Sequence, residues 1–275
     1  MDSNLKFNKI ISRRFNKNKI SLNTDFVAIE MPLEIGFKVK NGKSDNINIL
    51  MRTPGDDEKL AIGFLISEGI INSESINELE YDLFENKIEF LYNSHKELPD
   101  FSHLKRNFIS NSSCGICGKE SLDELLKKIP ERDNSIEFKI NPKSIKSICD
   151  EMRKKQNLFS KTGGVHGIAI FDEFGEIFCI EEDVGRHNAL DKAIGAIFMN
   201  NQSSKLVGAC LSGRASYEMV QKAAMVGIQI LICVGAPTSL AIDLAASTSI
   251  TLIGFVSEKG YNIYTNEGRI LSNIN

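Results

Sequence analysis

The stretch KLVGACLSGRASYEMVQKAAMVGIQILICV, residues 205–234, decides the fold of this chain. Its two ends, 205–211 and 229–234, are short apolar runs with the length of β-strands. Between them lies a helical segment that Ser212 is placed to cap and that ends near Gly227. A helix of this length between two strands predicts a βαβ unit with parallel strands. Both strands are apolar throughout, which is typical of a sheet covered on both faces.

The same alternation of strands and helices extends to both sides of this unit. On its N-terminal side, two strands around a tight turn predict a hairpin at 167–181, and a helix follows at 188–199. On its C-terminal side, Thr238 or Ser239 is placed to cap a further helix, and a last strand is expected at 249–256. The fold class predicted here is therefore α/β, a three-layer α/β/α sandwich that opens with a hairpin.

The first part of the chain is β-rich and predicts a smaller α+β domain. Thr53 and Pro54 suit the first turn of a helix that runs to about Ser67. The locally basic stretch 6–19 is expected to form a solvated, partly mobile arm. Strand-like alternation is found at 26–30, 33–40, 46–51 and 87–92.

The middle of the chain carries the predicted domain boundary. We place the β-rich N-terminal domain at 1–110 and the α/β domain, opening with a cysteine-bearing loop, at 111–275. Short helical patterns follow at 119–129 and at 142–158, the second with an apolar stripe.

Composition and charge exclude several classes of function. The chain has 275 residues, of which 42 % are apolar and 25 % charged, as in a soluble globular protein with a sizeable core. The formal net charge of -3 gives no electrostatic reason to bind nucleic acid. No apolar run approaches the ~20 residues that span a bilayer. We therefore expect a cytoplasmic protein without membrane or nucleic-acid partners.

Two of the six cysteines lie in a segment suited to sulfur chemistry. Cys114 and Cys117 stand three apart in SSCGICG, residues 112–118, where small neighbours leave the thiols open. A thiolate is a nucleophile and a metal ligand, and a neighbouring thiol can lower its pKa or resolve its products. The other four cysteines lie in apolar or amphipathic stretches and are interpreted as core residues: Cys149, Cys179, Cys210 and Cys233.

A metal site is not expected. Zinc needs three or four ligands at fixed spacing, and the single CxxC has no second pair. His166 and His187 lie on separate segments, and the order of motifs differs from that of zinc deaminases. A structural, hydrogen-bonding role for each histidine is as good an interpretation as a catalytic one.

Polar and glycine-rich segments follow several predicted strands and indicate an anion site. Ligands of such sheets bind beyond the carboxyl ends of the strands, where helix N-termini expose backbone N–H groups. Arg186 and Arg214 would add planar donors for phosphate or carboxylate. Ordinary capped loops would use the same residue types, and neither a Walker loop nor a dinucleotide fingerprint is present. The candidates from these segments are Gly163, Gly164, His166, Arg186, His187, Ser212, Arg214, Gly235 and Thr238.

Several long motifs of this chain, taken in their order, resemble those of a known protein family. RTPGDDEKLAIGFLISEGII, SSCGICGK, TGGVHGIAIFD, EDVGRHNALDKAIG, LSGRASYEMVQKA and GAPTSLAIDLA are similar to the formate dehydrogenase accessory sulfurtransferase (FdhD) family. The resemblance extends from about residue 25 to residue 265. It implies a dimeric protein whose fold resembles that of cytidine deaminases.

The resemblance also implies an activity. Members of this family take persulfide sulfur from a cysteine desulfurase and pass it to the molybdenum cofactor, bis-molybdopterin guanine dinucleotide. The sulfurated cofactor then enters the catalytic subunit of formate dehydrogenase. On this basis the chain is expected to be a sulfurtransferase in which Cys114 bears the persulfide and Cys117 assists transfer, and a guanine nucleotide can mimic the cofactor.

The segment 255–260 matches the family's cofactor-binding segment, with one departure. The family often has an arginine in this stretch, and a glutamate beside an anionic cofactor would be unfavourable unless its side chain points away. The residues implied to bind are Phe255, Val256, Ser257, Glu258, Lys259 and Gly260.

Two other functions stay open at this stage. A CxxC pair also occurs in thiol-disulfide oxidoreductases, although the strand expected before such a motif is weak here. A protein that escorts the molybdenum cofactor without moving sulfur would carry the same binding residues.

Overall fold

The computed structural model describes residues 5–39, 44–92, 129 and 138–271. The described chain begins with a two-stranded hairpin of β1 (Phe7–Asn16) and β2 (Lys19–Ala28), paired along their whole length. Lys17 and Asn18 form its two-residue turn, both with positive φ, which matches the twist of the strands. The prediction of a mobile arm at 6–19 was therefore wrong, although its side chains are mostly exposed.

A four-stranded sheet follows, in the order β4-β3-β6-β5. Strands β3 and β6 are parallel, and the other two pairs are antiparallel. A 3₁₀ helix, Ser73–Glu78, precedes β5. The strands are β3 (Met31–Val39), β4 (Ser44–Arg52), β5 (Glu80–Phe84) and β6 (Lys87–Tyr92).

Helix α1 (Asp57–Ser67) begins later than the sequence predicted. Asp56 has a left-handed φ of 58°, so Thr53 and Pro54 lie before the helix instead of in its first turn. Thr53 is fully buried and serves another purpose: its backbone N–H donates to Asp183 Oδ2 and its hydroxyl accepts from the backbone N–H of Val184.

The second sheet has six strands in the order β12-β11-β10-β9-β7-β8. Its centre, β9 to β11, is parallel, whereas β7 is antiparallel to β8 and β9, and β12 is antiparallel to β11. This confirms the predicted hairpin and parallel segment. The strands are β7 (His166–Phe171), β8 (Ile177–Asp183), β9 (Gly208–Leu211), β10 (Ile230–Cys233), β11 (Thr251–Ser257) and β12 (Gly260–Ile263).

Within the described residues, five further helices follow α1. They are α2 (Pro142–Lys155), α3 (Asn157–Thr162), α4 (Arg186–Met199), α5 (Tyr217–Met225) and α6 (Ser239–Ser247), with short 3₁₀ turns at Ser203–Lys205 and Glu267–Arg269.

The structure corrects two predicted helix boundaries and confirms a third. The single helix predicted at 142–158 is two helices, because Gln156 leaves helical geometry at ψ 80°. Ser216, not Ser212, occupies the N-cap of α5. Thr238 caps α6 as predicted, accepting from the N–H of Ala241.

The six-stranded sheet is covered on both faces. Helix α2 covers one face through Ile145, Ile148, Cys149 and Met152, which share a core cluster with Phe171 and its neighbours. Helices α4, α5 and α6 cover the other face. Each large apolar side chain buried in this way contributes about 1.5–3 kcal/mol. The three layers predicted from the sequence are thus present around this sheet.

Helix α1 joins the two sheets. Gly63 of α1 and Gly195 of α4 let the two backbones touch, since a Cβ at Gly63 would lie 1.8 Å from the carbonyl oxygen of Asp191. One core cluster includes side chains from α1, α4 and the four-stranded sheet. The predicted boundary between residues 110 and 111 lies outside the described residues and stays a prediction.

No helix in the described part of the chain is both long and apolar enough to cross a membrane.

Candidate functional site

A cavity of about 670 Å³ opens at the carboxyl ends of the parallel strands. Ser212 follows β9, Val234 follows β10, and Val256 and Ser257 end β11, so three adjacent strands contribute to its wall. His166 reaches the same edge because β7 runs antiparallel to β9. Seven of the predicted binding residues therefore line one cavity: Gly163, Gly164, His166, Ser212, Val256, Ser257 and Glu258.

One face of α2 and the start of α3 form the opposite wall. None of these residues is among the predicted binding residues, because the pattern at 142–158 predicts only a core-packing helix. Within α2, Lys146, Asp150 and Arg153 follow one another at spacings of three and four and lie beside the buried stripe, and this spacing is the signal that the sequence offers. The residues of this wall are Lys146, Cys149, Asp150, Met152, Arg153, Gln156 and Phe159.

Gln156 is the least satisfied polar side chain of this wall. It is fully buried, and neither its Oε1 nor its Nε2 has a hydrogen-bond partner among the described residues. Its amide is held against Gly167, where a Cβ would lie 2.3 Å from Nε2. A buried amide without partners costs about 1–3 kcal/mol. A ligand that offers a donor and an acceptor side by side would recover this free energy if the Gln156 side chain turned into the cavity.

His166 stands between the cavity and a second polar cluster. Burial, followed by the positive charges of Arg186 and His187, lowers the pKa of His166 below its usual 6.5. A Cβ at Gly213 would lie 3.3 Å from its Nδ1, so the glycine leaves room for the ring. His166 is therefore neutral at pH 7 and can both donate and accept a hydrogen bond.

The second polar cluster consists of Arg186, His187, Tyr217 and Glu218. His187 Nε2 lies 3.2 Å from Glu218 Oε2, and this contact lowers the pKa of the glutamate. Within the described part of the chain, Arg186 Nε and Tyr217 Oη are buried without partners. None of the four lines the cavity.

The remaining predicted residues also lie off the cavity wall. Arg214 is exposed, and the backbone N–H of Gly235 donates to the carbonyl of Gly213. Phe255 adopts a left-handed φ of 56° and is half exposed. Lys259 forms the turn before β12.

Glu258, which departs from the family pattern, forms an ion pair with a lysine of the cavity wall. Lys146 Nζ lies 2.9 Å from its Oε1 and also contacts Asp150. The Glu258 side chain is 90 % exposed, so its carboxylate points to solvent at the mouth of the cavity. Beside it, the Arg153 guanidinium stacks on the Phe159 ring at 3.6 Å from the ring centroid.

Cys114 and Cys117 lie outside the described residues, so their roles stay predictions. The four described cysteines, Cys149, Cys179, Cys210 and Cys233, are free thiols. Across 5–39, 44–92 and 138–271, no three histidine, cysteine or acidic side chains come close enough together to hold a metal ion.

Comparisons with known proteins cover nearly all of this architecture. The sequence model of the FdhD/NarQ family matches residues 28–271, which include every segment around the cavity. The chain belongs to the FdhD/NarQ family. The resemblance stated from its motifs is thereby confirmed.

Individual relatives of the FdhD/NarQ family are similar along most of their length. "Sulfur carrier protein FdhD" of Picrophilus torridus is 42 % identical, with 90 % of this chain and 93 % of the relative covered. The protein of the same name from Streptomyces avermitilis is 40 % identical, with 94 % and 93 % covered. These names support a role in carrying sulfur.

A solved structure shares the fold. The crystal structure of a candidate formate dehydrogenase accessory protein from Desulfotalea psychrophila superimposes with a TM-score of 0.74 at 26 % identity. The match covers 97 % of this chain and 100 % of that one. The mixed α/β architecture described above is therefore that of a known member of this structural group.

Proposed function

We propose that this chain is a sulfurtransferase that carries persulfide sulfur on Cys114 and delivers it to the molybdenum cofactor, bis-molybdopterin guanine dinucleotide. The donor is a cysteine desulfurase, and the catalytic subunit of formate dehydrogenase receives the product. One observation carries the proposal: segments 163–166, 212 and 256–258, separated widely in sequence, meet at one cavity in a member of the FdhD/NarQ family.

The cavity suits part of this acceptor. Its volume of about 670 Å³ falls in the range of about 300–1,000 Å³ typical of ligand sites. One nucleotide or one pterin would fit, and the rest of the cofactor would extend beyond the mouth. Val165, Val234 and Val256 offer apolar contacts to a flat ring, and Ser212 offers a hydrogen bond. The buried Gln156 amide would add two more if its side chain turned into the cavity.

The positively charged side chains placed to bind phosphate in the cavity differ from those predicted from the sequence. Lys146 and Arg153 line the cavity, whereas Arg186 and Arg214 do not. We therefore assign the nearest phosphate contacts to Lys146 and Arg153, and Arg186 and Arg214 would contact only groups that project past the strand ends. Lys146 would have to exchange its contact with Glu258 for the ligand.

The sulfur steps follow from thiol chemistry. The Cys114 thiolate attacks the outer sulfur of the desulfurase persulfide, and the S–S bond breaks to leave a desulfurase thiolate and a Cys114 persulfide. The outer sulfur then passes to the acceptor. If it leaves as sulfide, Cys117 attacks the inner sulfur and a Cys114–Cys117 disulfide remains. A low-molecular-weight reductant would then restore both thiols.

The family resemblance supplies the further elements of the proposal. They are a cytidine-deaminase-like arrangement of the six-stranded sheet and a homodimeric assembly.

The alternative of a chaperone without sulfur transfer predicts that a Cys114→Ala/Cys117→Ala protein still activates formate dehydrogenase.

Binding at the cavity can be tested with GDP as a mimic of the cofactor. The chain has no tryptophan, so Val234→Trp places a single reporter at the cavity. We expect GDP to change its fluorescence, and Val27→Trp on the hairpin, also partly exposed, to stay unchanged. No change at position 234, or equal changes at both positions, would contradict the assignment of this cavity.

A further inference from the structure

A second pair of thiols lies at the wall of the cavity, with Cys149 in the wall and Cys210 behind it. Cys149 Sγ on α2 and Cys210 Sγ on β9 are 3.3 Å apart. Bonded sulfurs in a disulfide are about 2.05 Å apart, so an approach of about 1.3 Å would join them. The two cysteines are 61 positions apart in sequence and belong to one core cluster, which is why their pairing could not be predicted.

The two thiols differ in access. Cys149 lines the cavity and is 6 % exposed, whereas Cys210 is fully buried behind it. The contact with Cys149, reinforced by burial, raises the pKa of Cys210 well above its usual value. Cys149 is therefore the thiol that a molecule in the cavity meets first, and Cys210 is the thiol that follows.

The other two described cysteines do not share this arrangement. The Cys233 thiol donates to the carbonyl oxygens of Gly235 and Ile253. Cys179 packs against the core cluster on the other face of the sheet, where burial raises its pKa to about 12. Both serve as internal controls for reactivity.

We propose that Cys149 and Cys210 form a second sulfur-handling site, which discharges persulfides that enter the cavity. The Cys149 thiolate attacks the outer sulfur of a persulfide R–S–SH, which gives a Cys149 persulfide and R–SH. The Cys210 thiol then attacks the inner sulfur and passes its proton to the departing outer sulfur, which gives a Cys149–Cys210 disulfide and releases the outer sulfur as hydrogen sulfide. In sum, one sulfane sulfur is reduced to sulfide and two thiols are oxidised to one disulfide.

This chemistry has a structural consequence. The disulfide would tie α2, one wall of the cavity, to β9, whose carboxyl end forms part of the opposite wall. In the protein that carries this disulfide, the two walls of the cavity would stay linked until a dithiol reductant cleaves the bond. The site needs neither Cys114 nor Cys117, so its existence is independent of the proposed function.

The test uses the full chain with Cys114→Ser and Cys117→Ser and one equivalent of glutathione persulfide under anaerobic conditions. We expect the intact mass to fall by about 2 Da, one sulfide to be released per chain, and peptide mapping to show a Cys149–Cys210 crosslink. Cys179→Ser in this background should behave identically.

Two further variants separate the steps. With Cys210→Ser the reaction should stop at a gain of about 32 Da on Cys149, without sulfide. With Cys149→Ser neither change should occur. Mapping of the protein with both cysteines intact decides the matter even if a variant does not fold.

A crosslink that is absent, or a gain of about 32 Da that persists in Cys149→Ser, would overturn the proposal. Transfer of sulfur from a desulfurase to Cys114 is measured separately, on protein that keeps Cys114. A negative result for Cys149 and Cys210 therefore leaves the proposed function intact.

Discussion

At the scale of single residues, a substitution at Gln156 should have opposite effects on the stability of the protein and on ligand binding. Replacing it by methionine keeps its volume and removes an amide without partners among the described residues. We expect Gln156→Met to raise the free energy of unfolding by about 1–3 kcal/mol, measured by urea denaturation, and to weaken GDP binding. Gln202→Met, at a partly exposed position away from the cavity, should change neither. A marked loss of stability in Gln156→Met would show that the amide has partners.

His166 gives a prediction about pH. Its pKa is lowered in the folded chain, so the unfolded chain binds more protons once the pH falls below 6.5. The wild type should therefore lose stability as the pH falls through 6.5, until the folded-state pKa is passed. His166→Gln should lose less over this window, measured as urea midpoints at about pH 7.5 and 5.5. Parallel losses in both proteins would contradict the lowered pKa.

At the scale of secondary-structure elements, the crossing of α1 and α4 depends on glycine. A Cβ at Gly195 would lie 1.9 Å from the carbonyl oxygen of Lys59, which is backbone and cannot move aside. Gly195→Ala should destabilise the protein by about 3 kcal/mol or more, despite the better helix propensity of alanine. Gly268→Ala, where no heavy atom lies within 4 Å, is the control and should unfold like the wild type.

A buried ion pair attaches α4 to β8. Lys192 Nζ lies 2.8 Å from Asp183 Oδ2 and donates to the carbonyl of Thr53, and both charged side chains are fully buried. Lys192→Met leaves the carboxylate without this partner, and we expect a loss of about 3–5 kcal/mol in urea denaturation. The exposed Lys205→Met should cost little. Equal stability of the two variants would count against this network.

The elements also show what the sequence could and could not predict. Strands β9 and β10 were predictable because continuous apolar runs were bounded by polar segments. The hairpin β1–β2 was missed because its exposed side chains carry no core-facing alternation.

The cavity was predictable on one side only. Residues at strand ends, such as Ser212, can be predicted because the carboxyl ends of parallel strands meet at one edge of the sheet. Which residues of α2 face the cavity depends instead on how that helix is rotated over the sheet. Residues such as Lys146 and Arg153 look like a solvated helix face in sequence. Arg186 lies at the start of α4, in a segment predicted to lead into a helix, but it is not part of the cavity lining, which no local pattern encodes.

At the scale of the whole molecule, the hairpin offers a surface for the proposed homodimer. Ile11, Phe15, Ile20 and Leu22 share one face of β1–β2 and are each at least 70 % exposed. Contiguous exposed apolar side chains of this kind mark interaction sites. Light scattering should therefore show a dimer that Phe15→Ser with Leu22→Ser dissociates.

Leu83→Ser, at an exposed position on β5, is the matched control and should leave the dimer intact. A wild-type monomer would refute the homodimer, and a dimer indifferent to both changes would place its interface elsewhere.

Intact-mass analysis after incubation with a cysteine desulfurase and cysteine is the most direct test of Cys114 as the sulfur carrier. We expect the wild type and Cys117→Ala to gain about 32 Da, one sulfur that a thiol reductant removes. Cys114→Ala should gain no sulfur at residues 112–118, as located by peptide mapping. A wild type that stays unlabelled, or a label lost in Cys117→Ala and kept in Cys114→Ala, would contradict the assignment of Cys114 as the sulfur carrier.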